Sequence, residues 1–73
     1  MPKLPQVSGD TAVKKFLRLG YEVVRQKGSH VRLVHGDVRR GRLSVPLHKT
    51  LKKGLLAELI QGAGLTLQEF IDL

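Results

Sequence analysis

The sequence contains no cysteine and no tryptophan, and its aromatic residues are one tyrosine and two phenylalanines. Without cysteine, disulfides and thiolate zinc sites are excluded, which favours an intracellular protein. No apolar run approaches the roughly 20 residues of a membrane span, and the first five residues lack the apolar core of a signal peptide. These absences predict a soluble, cytoplasmic protein. The few aromatic side chains, all expected in the core, argue against a platform that stacks bases on aromatic rings.

The chain has 73 residues, and we expect residues 1–73 to form one domain. A chain of this size buries only about 60% of the surface that its unfolded form exposes, so its core must be compact. Such a domain has no room for a separate substrate domain or a large cofactor cleft. We therefore expect no cofactor.

Positive charge is in excess and is unevenly distributed. Thirteen Lys and Arg against six Asp and Glu give a net charge of +7. Residues 1–53 hold all thirteen cations and three acids, a net of +10, whereas residues 54–73 hold three acids and no cation, a net of −3. This distribution suggests a polyanionic partner for the basic part, although a solvated surface on a small domain would have the same composition.

Local patterns predict two helices and three strands. Ser8 is a good N-cap for a first helix over Gly9–Leu19, which Gly20 ends as a left-handed residue. The remaining expected elements are strands over Tyr21–Lys27, His30–His35 and Arg42–Val45, a second helix over Lys52–Gly62, and a last turn with a Thr66–Glu69 capping box. Short loops between successive strands predict an antiparallel meander of the α+β class, in the order α-β-β-β-α, with both helices on one face. The other face is left open.

Strand alternation sorts the residues of this sheet. Val31 and Leu33 should face the helices, which leaves His30 and Arg32 on the open face. The third strand by the same rule sends Leu43 and Val45 inward and Arg42 and Ser44 outward, and Arg25 or Lys27 should lie at the edge.

An imidazole among guanidinium groups suits RNA chemistry. The cations can bind phosphate and stabilise charge that develops on it, and histidine exchanges protons near neutral pH. On the residues alone, a strand histidine such as His30 is more often an ordinary surface residue than a catalytic one. His48, where the chain leaves the sheet, is better explained by hydrogen bonds that fix this connection than by catalysis.

Other kinds of site find less support. His30 and His35 are an odd number of residues apart and should point to opposite faces, and no histidine spacing typical of zinc is present. Ser29 has no acid placed to complete a nucleophilic triad with His30. Gly28 and Ser29 are simply expected to form a tight hairpin turn. We therefore expect no metal.

Several short motifs follow one another in order along the chain. They are Leu19-Gly20-Tyr21, Val24-Arg25-Gln26-Lys27, Gly28-Ser29-His30, Val45-Pro46-x-His48, Leu51-Lys52-Lys53-Gly54-x-Leu56, and Ala63-Gly64-Leu65 before Glu69-Phe70. Over Leu4 to Leu73 this ordered set resembles the HicA toxins of HicAB toxin–antitoxin modules. Leu55 and Gly62 depart from the family pattern, and neither belongs to the Gly-Ser-His motif.

The resemblance implies a fold like that of the double-stranded-RNA-binding domain and an endoribonuclease that degrades messenger RNA. It also implies one essential histidine, which maps to His30, and a HicB-type antitoxin that covers this face. It leaves the role of His48 open.

The working hypothesis is that His30 acts as general acid or base on a messenger RNA held by basic and polar residues. The residues expected to bind RNA are Arg25, Lys27, Ser29, Arg32, Arg42, Lys52 and Lys53, and Gly28 and His48 are expected to have structural or secondary roles. The alternative is a non-catalytic RNA-binding module of the same fold. We expect a monomeric free toxin and no membrane partner.

Overall fold

The computed structural model describes residues 3–73; Met1 and Pro2, part of the expected domain, lie outside the described residues. The elements are α1 (Gly9–Leu19), β1 (Glu22–Lys27), β2 (His30–Val34), β3 (Leu43–Pro46), α2 (Lys53–Gly62) and α3 (Leu67–Ile71). The strands pair antiparallel in the order β1-β2-β3. The expected α+β arrangement is confirmed. In the described part of the chain, no helix has the length and apolar character that crossing a membrane requires.

Capping motifs fix both ends of α1. The Ser8 hydroxyl accepts the Thr11 backbone N–H at 3.1 Å, as an N-cap does. Gly20 has a φ of 114°, and the N–H groups of Gly20 and Tyr21 donate to the carbonyls of Leu17 and Phe16. This pair of bonds is a Schellman motif. It uses the N–H of Tyr21, which explains why β1 begins at Glu22 and not at Tyr21 as expected.

Four further boundaries differ from expectation by one residue, and the end of β1, the start of β2 and the end of α2 agree with it. β2 ends at Val34, because the chain turns at His35, whose ring accepts the Asp37 N–H at 2.9 Å and bonds the Leu19 carbonyl at 3.0 Å. β3 runs over Leu43–Pro46 and not Arg42–Val45; Pro46 is tolerated because β3 is an edge strand and the next bond across to β2 is donated by the Leu47 N–H to the Ser29 carbonyl. Lys52 is the extended N-cap of α2 rather than its first residue.

The inner face of the sheet and the helices enclose the core. Val31, Leu33, Leu43 and Val45 are all buried, as alternation predicts. They share one cluster with Phe16, Tyr21 and Phe70 from the helical side. Both helices make their sheet contacts chiefly with β3, so every residue of β1, at the far edge, is exposed.

Gly9 is a close-approach position that the sequence patterns do not reveal. A Cβ placed on Gly9 would overlap the Pro46 carbonyl oxygen, so no larger residue fits. The Gly9 N–H donates to the His48 carbonyl at 2.9 Å, and the Leu51 N–H donates to the Val7 carbonyl at 2.8 Å. These bonds join the start of α1 to the chain between β3 and α2.

Two cations bind helix carbonyls instead of facing solvent. Lys15 on α1 is half-buried and donates to the carbonyls of Phe70, Ile71 and Leu73 at 3.4, 3.2 and 2.8 Å. Arg40 donates to the Ala63 carbonyl at 2.6 Å, at the end of α2. Cations at helix C-termini also interact favourably with the helix dipole. The expected capping box of α3, Thr66 with Glu69, is confirmed.

Tyr21 ties the loop before β3 to the core. Its hydroxyl donates to the Gly41 carbonyl at 2.7 Å, while the ring packs edge-on against Phe16 and His35. Burial raises the pKa of Tyr21 above its ordinary value, and the charge of Arg40 partly offsets this effect.

We predict a specific loss of stability in alkali. A raised pKa in the folded state means that the neutral Tyr21 stabilises the fold fully below the ordinary value of 10.0, and that this contribution is lost as pH rises through the folded value. Because Tyr21 is the only tyrosine, phenolate absorbance follows it directly. The midpoint of the phenolate titration in the folded protein should lie above that of the denatured chain. Tyr21→Phe should weaken the loss of stability at alkaline pH, which urea unfolding measures. Equal midpoints in the folded and denatured chain would contradict this account.

Candidate functional site

The open face, the side of the sheet away from the helices, carries a depression of about 490 Å³ at the hairpin end. We call it the His30 depression; it is lined by Arg25, Lys27, His30, Arg32 and Ser44. Four of these five are residues that the sequence predicted for the site. Ser44 was predicted to face outward but was assigned no role.

The hairpin turn determines where His30 stands. Gly28 has a φ of 59°, and no residue other than glycine has a positive φ in the described chain. A positive φ at the first of two turn residues fits a type II′ turn, which suits a tight hairpin. His30 therefore follows the turn directly, as the first residue of β2, opposite Lys27 on one side and Pro46 on the other. Its side chain is exposed and can meet a substrate from solvent.

The hairpin register puts two cations of β1 on the same face as His30, and a bulge beyond them shifts the face of Val23. Val23 pairs with Leu33, but the next pair is Arg25 with Arg32, so Val24 is the extra residue. Strict alternation would have placed Val23, Arg25 and Lys27 on one face. With the bulge, Val23 pairs with an inward residue while Arg25 and Lys27 pair with outward ones. The only hint in the sequence is that Val23 would share a face with two cations in a regular strand, and this does not locate the bulge, which depends on the pairing with β2.

Like charges face each other across the strands. Arg25 stands directly opposite Arg32, and Ser44 stands opposite Arg32 on the other side. Like charges at directly opposed positions are destabilising, and no carboxylate lines the His30 depression. An anion bound there would remove this repulsion, and guanidinium groups match phosphate oxygens well.

Arg42 lies in a second depression on the open face. This depression has a volume of about 340 Å³, and its lining includes Val24, Val34 and Arg42 together with Arg32 and Ser44, which also line the first. We call it the Val24 depression. The shared residues make the two depressions neighbours.

The remaining predicted residues do not line either depression. Ser29 is exposed in the turn, and its carbonyl accepts the Leu47 N–H at 2.6 Å. His48 is exposed, and the bond that fixes the chain there is made by its backbone carbonyl and not by its imidazole. Lys52 and Lys53 are exposed at the start of α2, where Lys52 makes no capping bond with its side chain.

His35 is held in the fold by two hydrogen bonds to its ring. Because the Asp37 N–H donates to Nδ1, the Nε2–H must donate to the Leu19 carbonyl, which fixes the neutral tautomer. A side-chain hydrogen bond from Arg39 lowers the pKa of Asp37, the residue whose N–H binds the His35 ring, to about 2.

Among residues 3–73, no three His, Asp or Glu side chains come together in a way that could hold a metal ion.

Comparison with known proteins identifies one family. The family model of the HicA toxin of bacterial toxin–antitoxin systems matches residues 9–65. This match covers more than half of the chain and runs from the first residue of α1 past the end of α2, so it includes the whole sheet and both depressions. A toxin of such a system implies an antitoxin partner. A search of curated proteins found no match to the chain.

We predict that the fold becomes more stable when Arg25 loses its charge. Arg25→Thr removes the repulsion with Arg32 and keeps a residue suited to a strand, so the free energy of unfolding should rise by about 0.2–1 kcal/mol at low salt. The gain should shrink as salt screens the charges. Arg25→Lys, which keeps the charge, is the control, with urea unfolding as the measurement. The interpretation is wrong if the difference between these two variants is the same at low and high salt.

Proposed function

The chain belongs to the HicA toxin family of bacterial toxin–antitoxin systems, and we propose that it is an endoribonuclease that cleaves messenger RNA on the open face, with His30 as its catalytic residue. The observation that carries this proposal is the His30 depression, which groups one exposed imidazole with three cations and no carboxylate. Such a group of side chains can bind a phosphodiester and move a proton at it.

The cations bind the scissile phosphate. Arg32 lies between Arg25 and Ser44 in the pairing of the sheet, and its position two residues after His30 places both on one face. Guanidinium and ammonium groups there form charge-assisted hydrogen bonds to the non-bridging oxygens. They also stabilise the additional negative charge that develops on these oxygens in the transition state.

The nucleophile is the 2′-hydroxyl of the RNA itself. Its oxygen attacks the phosphorus and forms a new P–O2′ bond, while the P–O5′ bond breaks. The 2′-hydroxyl gives up its proton to a base, and the departing 5′-oxygen receives a proton from an acid. His30 performs one of these two transfers and solvent water performs the other. The products are a 2′,3′-cyclic phosphate and a 5′-hydroxyl, and DNA, which lacks the 2′-hydroxyl, is not cleaved.

Single-stranded RNA is the preferred form of substrate. The imidazole stands on an exposed strand face and has no projecting loop that would carry it into a stacked duplex. Ser29, Arg42, Lys52 and Lys53 extend the contact with the RNA backbone beyond the scissile phosphate. Because each phosphate contact releases counterions, the affinity should fall steeply as salt increases.

The cellular setting follows from the family. We propose that residues 1–73 act as one domain in the cytoplasm, as a monomer when free, and that a HicB-type antitoxin inhibits the toxin by covering the open face. Neither a cofactor nor a metal takes part in the proposed reaction.

A non-catalytic RNA-binding module is the second candidate. The like-charge pair Arg25–Arg32 favours it as much as it favours catalysis, since a bound phosphate relieves the repulsion in either case. In that function His30 is only one more contact to the backbone. Purified protein mixed with labelled RNA distinguishes the two, because an enzyme releases fragments and a binding module only shifts the RNA band.

We predict that His30→Ala lowers the rate of RNA cleavage by about 10²–10⁴-fold, the usual contribution of a positioned acid or base. The RNA affinity and the unfolding midpoint should stay nearly unchanged, because the imidazole is exposed and the cations remain. His48→Ala is a matched control that removes another exposed histidine and should cleave like the wild type. Cleavage is followed with end-labelled RNA, and growth arrest and transcript loss on expression provide a cellular readout.

Two results would count against a catalytic His30. One is a loss of RNA affinity as large as the loss of cleavage, which would make His30 a contact residue. The other is wild-type protein that binds RNA and leaves it intact under all conditions, which would favour the second candidate.

A further inference from the structure

The Val24 depression combines apolar and cationic groups. Val24 is 56% exposed although it is a large apolar residue, and Val34, half-buried, lies in the same lining. Arg32 and Arg42 supply the charges. A phosphate alone makes no favourable contact with the valine side chains. A ligand with a flat apolar face and a nearby negative charge can contact both the valines and the arginines of this lining.

An unpaired nucleobase attached to its phosphate has this chemistry. Bases of single-stranded RNA bind proteins through their faces, on aromatic rings or on guanidinium planes. Valine methyl groups offer an apolar contact of the same kind, and burying them removes exposed apolar surface from water. The Val24 depression adjoins the His30 depression through Arg32 and Ser44. A base seated there therefore belongs to a nucleotide next to the bond that His30 acts on.

We propose that the Val24 depression is a subsite for the nucleobase next to the scissile phosphate. The inference rests on the proposed function, because it places the substrate relative to His30. Arg32 binds the phosphate between the two depressions, and Arg42 lies beside the base. The bulge creates this subsite, because Val24 is the extra residue in β1 and lines the open face beside Arg25.

The subsite should select by stacking area and not by base identity. Valine has no hydrogen-bonding groups, so it contacts the face of a base and does not read its edge. A purine should therefore be preferred to a pyrimidine, and a pyrimidine to an abasic sugar. Strong readout of one base is not expected.

The experiment uses 2′-O-methyl RNA strands with a single unmodified ribonucleotide, so that only one bond can be cleaved. The base on each side of that bond is in turn a purine, a pyrimidine or absent. For the wild type, removal of the base on one side should lower kcat/KM by about 10-fold, which is typical of a stacked base. Removal on the other side should change it little.

Two adjacent valines provide a matched pair of variants. Val24→Ser removes the Val24 methyl groups from the subsite, and for this variant removal of the base should lower kcat/KM by about 3-fold or less. Val23→Ser makes the same change at a residue that is 47% exposed but pairs with an inward position, and it should keep the full dependence. Unfolding midpoints of both variants show whether the strand is intact.

Failure of the subsite and failure of the catalytic proposal give different results. Cleavage that depends on His30 but is indifferent to both neighbouring bases, or that keeps the full base dependence in Val24→Ser, overturns the subsite alone. Absence of cleavage overturns the catalytic proposal. Fluorescence anisotropy of the same strands then tests the subsite by binding, and equal affinity for base-bearing and abasic strands overturns it.

Discussion

In β2, the apolar residues Val31 and Leu33 alternate with His30 and Arg32, and the burial of the two apolar side chains determines which way the site faces. A shift of register by one residue would expose Val31 and Leu33 and bury an imidazole and a guanidinium. The fold therefore cannot bury its core without presenting His30 to solvent. The tight turn at Gly28 then places Lys27 opposite His30, and the pairing with β3 places Ser44 beside Arg32.

The cations of this protein serve two different purposes. On the helical side, Lys15 and Arg40 bind carbonyls at the ends of α3 and α2 and so replace bonds that the helices lack. On the open face, Arg25 and Arg32 oppose each other and gain nothing from the fold. The helical side contributes stability, and the open face retains charges whose favourable partner is an anion from outside the chain. β1 tolerates these charges because it is an edge strand whose residues are all exposed, and its bulge interrupts the regular ladder.

Much of the fold could be predicted from the sequence, because its local signals agree with one another. Ser8, Gly20 and the Thr66–Glu69 pair mark helix ends by their own chemistry, and period-two alternation assigned the faces of β2 and β3. The bulge at Val24 was missed because it depends on pairing with β2, which a single strand does not reveal. Gly9 was missed because only the approach of Pro46, far away in sequence, requires a glycine there.

For the site as well, local signals could be read from the sequence, whereas features that depend on contacts between distant residues could not. His30 and Arg32 follow from alternation, and the register set by the tight turn, which pairs Lys27 with His30 and Arg25 with Arg32, brings both cations of β1 to the same face. The bond that fixes His48 is made by its carbonyl, which side-chain chemistry could not indicate. His30 and His35 are both histidines of the expected second strand, and the sequence does not distinguish their roles. In the fold, two hydrogen bonds to the ring give His35 a structural role.

Chemical rescue shows whether the imidazole of His30 itself moves a proton at the phosphodiester. Because the side chain is exposed, free imidazole can diffuse into the space that His30→Gly leaves. Added imidazole should restore RNA cleavage by His30→Gly in a concentration-dependent manner and should not restore it in Arg32→Ala, which lacks a cation instead of a proton carrier. Cleavage by His30→Gly that stays at its residual level at every imidazole concentration would contradict the account.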